Sequence, residues 1–159
     1  MQALVNALGE MLVKKKLKIA TAESCTGGLV AATLVNYPGI SACLDEAHVT
    51  YANEAKVKYC GVQQETLDAH GAVSEETAKE MAEGLREKAG AEIALSTTGI
   101  AGPGGGTKEK PVGLVYVACA SKQTTKVVKL QLSGDRRQVR EQTVRHALKL
   151  ALDAATQYE

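Results

Sequence analysis

Tryptophan and phenylalanine are absent from this sequence, and tyrosine occurs only five times. A chain so poor in rings has few platforms on which bases can stack, which argues against single-stranded nucleic acid as a partner. The formal charge of +1 supplies no field to hold DNA, RNA or an anionic membrane. No apolar run comes near the roughly 20 residues that span a bilayer. The start, Met1-Gln-Ala-Leu-Val-Asn6, lacks the basic stretch and cleavage site of a signal peptide. Cys25, Cys43, Cys60 and Cys119 make no Cys-x-x-Cys pair and follow no regular spacing. Neither a zinc ribbon nor a disulfide framework is expected, and the thiols read as reduced. Nucleotide signatures are missing too: there is no Gly-x-x-x-x-Gly-Lys-Ser/Thr and no well-placed Gly-x-Gly-x-x-Gly. The expectation is a cytoplasmic domain with no metal and no cofactor.

What is present is a core of small side chains. Ala, Val, Leu and Ile dominate a hydrophobic fraction of 45%, which suits helices packed closely on a sheet. The length of 159 residues fits one domain, 1–159, with a sizeable core. Periodicity predicts helices over Ala3–Lys16, Thr26–Asn36, Asn53–Tyr59, Ser74–Ala89 and Asp135–Ala155. Ser74 and Asn53 read as N-caps, and Asp135 with Gln138 stands at capping-box spacing. Strands are predicted over Lys18–Ala22, Ala42–Tyr51 and Ala91–Thr97. Val112–Ala120 and Thr124–Leu132 form a hairpin. Strands interleaved with helices, plus a hairpin, imply a three-layer α/β/α sandwich around a mixed central sheet.

Two predicted strands end in small polar residues and glycine: Ser24-Cys-Thr-Gly-Gly28 and Thr97-Thr-Gly-Ile-Ala-Gly102. Ligands of open α/β sheets bind beyond the strands' carboxyl ends, so both turns are expected to face one pocket. The first turn delivers Ser24, Cys25 and Thr26 to a helix start, where unpaired amides favour an oxyanion or a phosphate. The plainer reading of the same turn is a helix cap. Lys56 lies one helical turn beyond Asn53, and a desolvated lysine can serve as the base for a serine. A solvated surface charge is the plainer alternative. Arg136, Arg137 and Arg140 crowd the first turns of the last helix against its dipole. Either a bound phosphate or carboxylate, or neutralisation by Asp135 and Glu141, would relieve that conflict. Cys25 is a rival nucleophile, with His48 or His70 as helpers, but buried cysteines are usually inert packing. Ser24 is preferred.

The segments Thr21-Ala-Glu-Ser-Cys-Thr-Gly-Gly28, Tyr51-Ala-Asn-Glu-Ala-Lys56, Gly71-Ala-Val-Ser74, Thr98-Gly-Ile-Ala-Gly-Pro103, Lys110-Pro-Val-Gly113 and Gly134-Asp-Arg136 resemble one family in motif and order. It is the C-terminal domain family of the competence/damage-inducible protein CinA, the nicotinamide-nucleotide amidases. The resemblance covers nearly the whole chain and implies a stand-alone form lacking the molybdopterin-binding-like domain of longer members. It also implies hydrolysis of the carboxamide of nicotinamide mononucleotide, giving nicotinate mononucleotide and ammonia, in pyridine-nucleotide salvage. By the same resemblance Ser24 is the nucleophile, Lys56 its general base, and Tyr51 helps orient them. Thr98 and Gly99 line the amide end of the pocket, and Arg136 and Arg140 take the phosphate. Thr26, Gly27, Gly28 and Asn53 complete the expected substrate-binding set. Ile40, Leu44 and Glu46-Ala-His48 depart from the family pattern at positions that bear on substrate access. A non-catalytic nucleotide- or partner-binding domain in a competence or DNA-damage response is the alternative.

The family is generally oligomeric, so a homodimer or higher homo-oligomer is expected. The last helix carries Val139, Ala147, Leu150, Ala151 and Ala154 on one side and Val144, Leu148 and Leu152 on another. One stripe covers the sheet, while the second needs either a second copy or the first helix.

Overall fold

A computed structural model describes residues 1–159. Five strands, β1 (Ile19–Glu23), β2 (Leu44–Val49), β3 (Ile93–Gly99), β4 (Leu114–Ala120) and β5 (Thr125–Gln131), form one sheet in the order β2-β1-β3-β4-β5. β1 runs parallel to β2 and β3, while β3–β4 and β4–β5 are antiparallel. The sheet is therefore mixed. Helices α1 (Gln2–Lys15), α2 (Leu29–Leu34) and α6 (Arg136–Gln157) cover one face, and α3 (Asn53–Cys60), α4 (Gln64–His70) and α5 (Glu75–Ala89) the other. This is the α/β/α sandwich expected from the sequence.

The two-residue period of the strands sorts their side chains between the layers. Ile19, Leu95, Val115 and Val117 join α1 and α6 in the larger core cluster. Ala20 and Ala22 pack with Met81 and Leu85 of α5, and Ala118 and Ala120 meet Ala78 and Ala82. Alanine against alanine brings α5 close to the sheet, which is how a core without Phe or Trp excludes water. Gly84 extends that closeness to α3, since a Cβ there would lie 1.6 Å from the Cys60 carbonyl oxygen.

Ser74 Oγ accepts from the Thr77 amide, Gly90 ends α5 in a left-handed turn, and Asp135 with Gln138 closes a capping box. Four local expectations change. α2 begins at Leu29 rather than Thr26, because Gly27 and Gly28 take positive φ of 58° and 100°. Asn53 is the first residue of α3, not its cap; Ala52 holds that position with no side-chain bond. β2 is an exposed edge strand, with Asp45 bonded to Lys18, so its acidic residues serve a solvated margin. α4 is an additional helix, only seven residues long and without a side-chain cap.

Both apolar stripes of α6 are covered within the chain. Val139, Val144, Ala147, Leu148 and Ala151 pack in one cluster with Val5, Leu8 and Leu12 of α1 and with the sheet. The pattern of α6 thus needs no second copy. No helix is long and apolar enough to cross a membrane.

Gly84→Ala is expected to lower stability by about 1–3 kcal/mol or more, because the colliding atom is backbone. A urea midpoint unchanged from wild type would show that α3 can retreat from α5 freely.

Candidate active site

β1 ends on Glu23, whose side chain faces the same layer as Thr21, two residues back. Glu23 is 1% exposed. Its Oε1 accepts from Thr26 Oγ1 at 2.6 Å and the Val30 amide at 2.7 Å, and its Oε2 from the Ala31 amide at 3.0 Å and Thr21 Oγ1 at 3.4 Å. Gly28 has no side chain to cap α2, so the strand's last residue caps it from outside. Thr26 Oγ1 also lies 2.8 Å from Thr97 Oγ1. With the single Thr26 hydroxyl proton committed to Glu23, Thr97 is the donor in that contact. The Ser24 amide donates to the Thr97 carbonyl. Ser24 therefore sits at the apex of a turn pinned at both ends.

Lys56 meets Ser24 from α3. It is 1% exposed, and its Nζ donates to the Thr50 carbonyl at 2.8 Å, the Tyr51 carbonyl at 3.1 Å and Ser24 Oγ at 3.1 Å. No ion pair includes it. Burial lowers its pKa below the ordinary lysine value. A neutral amine has two N–H bonds and one lone pair, and this environment offers two carbonyls and one hydroxyl. As an ammonium Lys56 uses its three N–H groups on the two carbonyls and Ser24 Oγ; as a neutral amine it keeps the two carbonyls and turns its lone pair to Ser24 Oγ. Lys56 is thus no surface charge. Burial also pushes the neighbouring Cys25 thiol up to about 11, so it is protonated at neutral pH and a poor rival nucleophile. His48 lies against Glu46 and Tyr59, and His70 against Glu76, each engaged outside this pair.

The remaining expected residues divide into two groups. Tyr51, Gly99 and Arg136 line a cavity of about 210 Å³ together with Cys25 and the loop from Ile100 to Gly105. Arg136 Nη1 donates to the Gly102 carbonyl at 2.8 Å, and its Nη2 to the Tyr51 hydroxyl at 3.2 Å. Arg140 lies behind the Ser24 turn, with Nε on the Cys25 carbonyl at 3.1 Å and Nη2 on the Thr26 carbonyl at 2.8 Å. Gly27 beside it is required by its positive φ of 58° rather than by space, since a Cβ there would only touch Nη2 at 3.6 Å. The first turns of α6 therefore hold both loops of the site, and Arg137 pairs with Glu141 at 2.8 Å. Thr98 faces the opposite layer, its hydroxyl donating to the Ala72 carbonyl at 2.8 Å. Asn53 is exposed. A larger hollow of about 710 Å³ lies between α2 and α6, but it contains no nucleophile–base pair. No three His, Cys, Asp or Glu side chains converge anywhere in the molecule.

Glu23 and Thr97 escape a reading of the sequence alone. The available signal was the acid itself, closing a small-residue strand buried on both faces, where an unpaired carboxylate is costly.

A family model described as the CinA C-terminal domain matches residues 1–155. The chain belongs to the CinA C-terminal domain family. It is 58% identical over 142 residues to a putative competence-damage inducible protein of Clostridium acetobutylicum, covering 89% of this chain and 34% of that protein. A Clostridium perfringens protein of the same description is 57% identical over 145 residues, covering 91% and 35%. The chain thus spans about a third of the length of these curated relatives. Among solved structures, a competence/damage inducible protein from Agrobacterium tumefaciens superposes with a TM-score of 0.90 at 41% identity, over 97% of this chain and 96% of that one. A competence damage-inducible protein A from Klebsiella pneumoniae gives 0.93 at 35% identity, over 99% and 98%. This chain and the two solved structures therefore share one fold at near-full structural overlap.

Lys56 predicts a pH signature in this CinA-family chain. Its folded pKa lies below the unfolded value of about 10.4, so between the two the unfolded state binds more protons. Wild-type stability then rises with pH through that window and is lowest, and level, below the folded pKa, where both states bind the proton. Lys56→Met lacks this contribution, so wild type should gain on it in urea midpoint as pH is raised from about 7 to about 10. A difference independent of pH would mean that Lys56 titrates as a free lysine.

Proposed function

We propose that the chain hydrolyses the carboxamide of nicotinamide mononucleotide to nicotinate mononucleotide and ammonia, with Ser24 as nucleophile and Lys56 as base. The observation that carries this reading is the 3.1 Å contact between Lys56 Nζ and Ser24 Oγ, with the remaining Lys56 bonds on two carbonyls. Family membership supplies the substrate class. Ser24 Oγ attacks the carboxamide carbon while its proton passes to Lys56, forming a C–O bond and a tetrahedral oxyanion. Collapse of that intermediate breaks the C–N bond, and Lys56 returns the proton to the departing ammonia. Water then attacks the acyl-enzyme, again losing its proton to Lys56, and nicotinate mononucleotide leaves as Ser24 is reprotonated.

The oxyanion requires donors already in place. The Val30 and Ala31 amides are bonded to Glu23, Gly27 N to the Ser24 carbonyl and Leu29 N to the Thr26 carbonyl. The amides of Cys25, Thr26 and Gly28 remain, and the first two directly follow Ser24 in the chain. Arg140 holds the Cys25 carbonyl, and in a planar trans peptide the Thr26 N–H points the opposite way. These two amides are assigned to the oxyanion, each contributing about 3–4 kcal/mol to the transition state.

The pyridine ring lies in the cavity between Tyr51 and Gly99, and the phosphate reaches the guanidinium groups. A guanidinium has five N–H donors; Arg136 and Arg140 each use two inside the chain, leaving donors for phosphate oxygens. Thr26, Gly27 and Gly28 form the floor of the turn under the amide, while Thr98 and Asn53, which do not line the cavity, are left without a substrate contact.

Pure protein incubated with nicotinamide mononucleotide should release ammonia, and Ser24→Ala should abolish release while Cys25→Ala retains most of it. Absence of ammonia from wild type would leave a binding domain as the better reading, and a dead Cys25→Ala beside an active Ser24→Ala would reverse the nucleophile.

Arg136→Ala is expected to raise KM about ten- to a hundred-fold with kcat little changed, the mark of a lost charge-assisted contact. Arg140→Ala should lower kcat as well, because Arg140 also holds the turn. Nicotinamide riboside, lacking the phosphate, should be a poor substrate nearly indifferent to Arg136→Ala. Equal losses on riboside and mononucleotide would remove Arg136 from the phosphate site.

A further inference from the structure

Only two carboxylate- or amine-bearing side chains are buried in this molecule, Lys56 and Glu23, and the reaction scheme gives Glu23 no task. Glu23 makes no ion pair. Burying a carboxylate without a cation is costly unless donors surround it. Two hydroxyls and two backbone amides do so here. Gly28 holds a positive φ of 100° that a capping Ser, Thr or Asn would adopt only under strain, so α2 takes its cap from a side chain outside the helix. What the acid adds is reach. From the end of β1 it spans the nucleophile turn, holding Thr26 on one oxygen and the far side of the turn, Val30 and Ala31, on both.

We infer that Glu23 is a positioning residue for the Ser24 nucleophile, acting through Thr26 and the first amides of α2; this rests on the Ser24–Lys56 reading proposed above. By engaging the Val30 and Ala31 amides it also keeps them from competing for the oxyanion. The turn between these anchors then presents Ser24 Oγ to Lys56 and the Cys25 and Thr26 amides to the substrate. The Thr97 hydroxyl, donating to Thr26 Oγ1 across the β1–β3 pair, ties the same clamp to the strand that carries the second loop.

Glu23→Gln is the direct test, because it keeps the shape. Whichever way the glutamine amide turns, its NH2 faces a backbone N–H, that of Val30 or that of Ala31. The clamp must loosen, and misplacement on the scale of an ångström costs about a hundred-fold in rate. The expected result is kcat lower by about that factor with KM within about twofold of wild type. Ser74→Ala, which removes the cap of α5, serves as a stability control and should lower the melting temperature without changing kcat. Should Glu23→Gln fail to fold, Thr26→Val breaks the same link from the other side and should show the same split.

A Glu23→Gln or Thr26→Val protein that melts lower but turns over at the wild-type rate would overturn the inference, leaving Glu23 a purely structural acid. If wild type hydrolyses no mononucleotide, the proposed substrate fails separately. The inference is then read from the rate at which a small sulfonyl fluoride modifies Ser24. It should be slowed about a hundred-fold in Glu23→Gln, and equal labelling rates would overturn it.

Discussion

A lysine amine enclosed among carbonyl oxygens, with no carboxylate paired to it, is the constraint on which this site depends. Removing Lys56 from water disfavours its ammonium form, and the Thr50 and Tyr51 carbonyls hold the amine where it meets Ser24. The same low-polarity environment acts oppositely on Cys25, where the charged form is the thiolate, and pushes its pKa to about 11. One physical cause therefore disfavours the charged form of both the amine and the adjacent thiol. A serine needs no prior ionisation, so it suits these surroundings in a way that cysteine does not.

The fold supports this arrangement through close backbone approach more than through bulky packing. Alanine faces on the sheet and on α5 bring the layers together, and Gly84 lets α3 lie against α5. That contact fixes the helix carrying Lys56. On the other face, Glu23 and Arg140 hold the Ser24 turn from opposite chemical ends: a carboxylate takes amides and hydroxyls, and a guanidinium takes carbonyls. Such charge-assisted bonds are stronger than neutral ones. Two of them acting in opposition leave the turn little freedom.

Much of this was legible in the sequence because periodicity and turn chemistry agreed. The strand leading to Ser24, the capped helix at Ser74, the hairpin and the capping box at Asp135 each carry a local signal. The misses also have local causes. Thr26 looked like a helix start, but a pair of glycines with positive φ delays α2 until Leu29. α4 has no side-chain cap, and Leu67 is its one buried residue, so no apolar face announces it. The burial of Lys56 and the clamp of Glu23 were not readable from pattern, because both depend on how the chain folds back after a strand. Glu23 bonds residues three, seven and eight positions on, and Lys56 meets Ser24 from 32 positions away. The three arginines of α6 were legible as a conflict with the helix dipole. Their partners inside the chain, the Gly102, Cys25 and Thr26 carbonyls and Glu141, required the fold.

The central claim, that Lys56 is available as a neutral amine beside Ser24, is open to direct observation. NMR titration of the Lys56 side chain, with its signal assigned by loss in Lys56→Met, reports the pKa of the amine itself. The account predicts a midpoint clearly below the free-lysine value of about 10.4. A midpoint at or above that value would mean that Lys56 remains an ammonium and cannot accept the proton of Ser24.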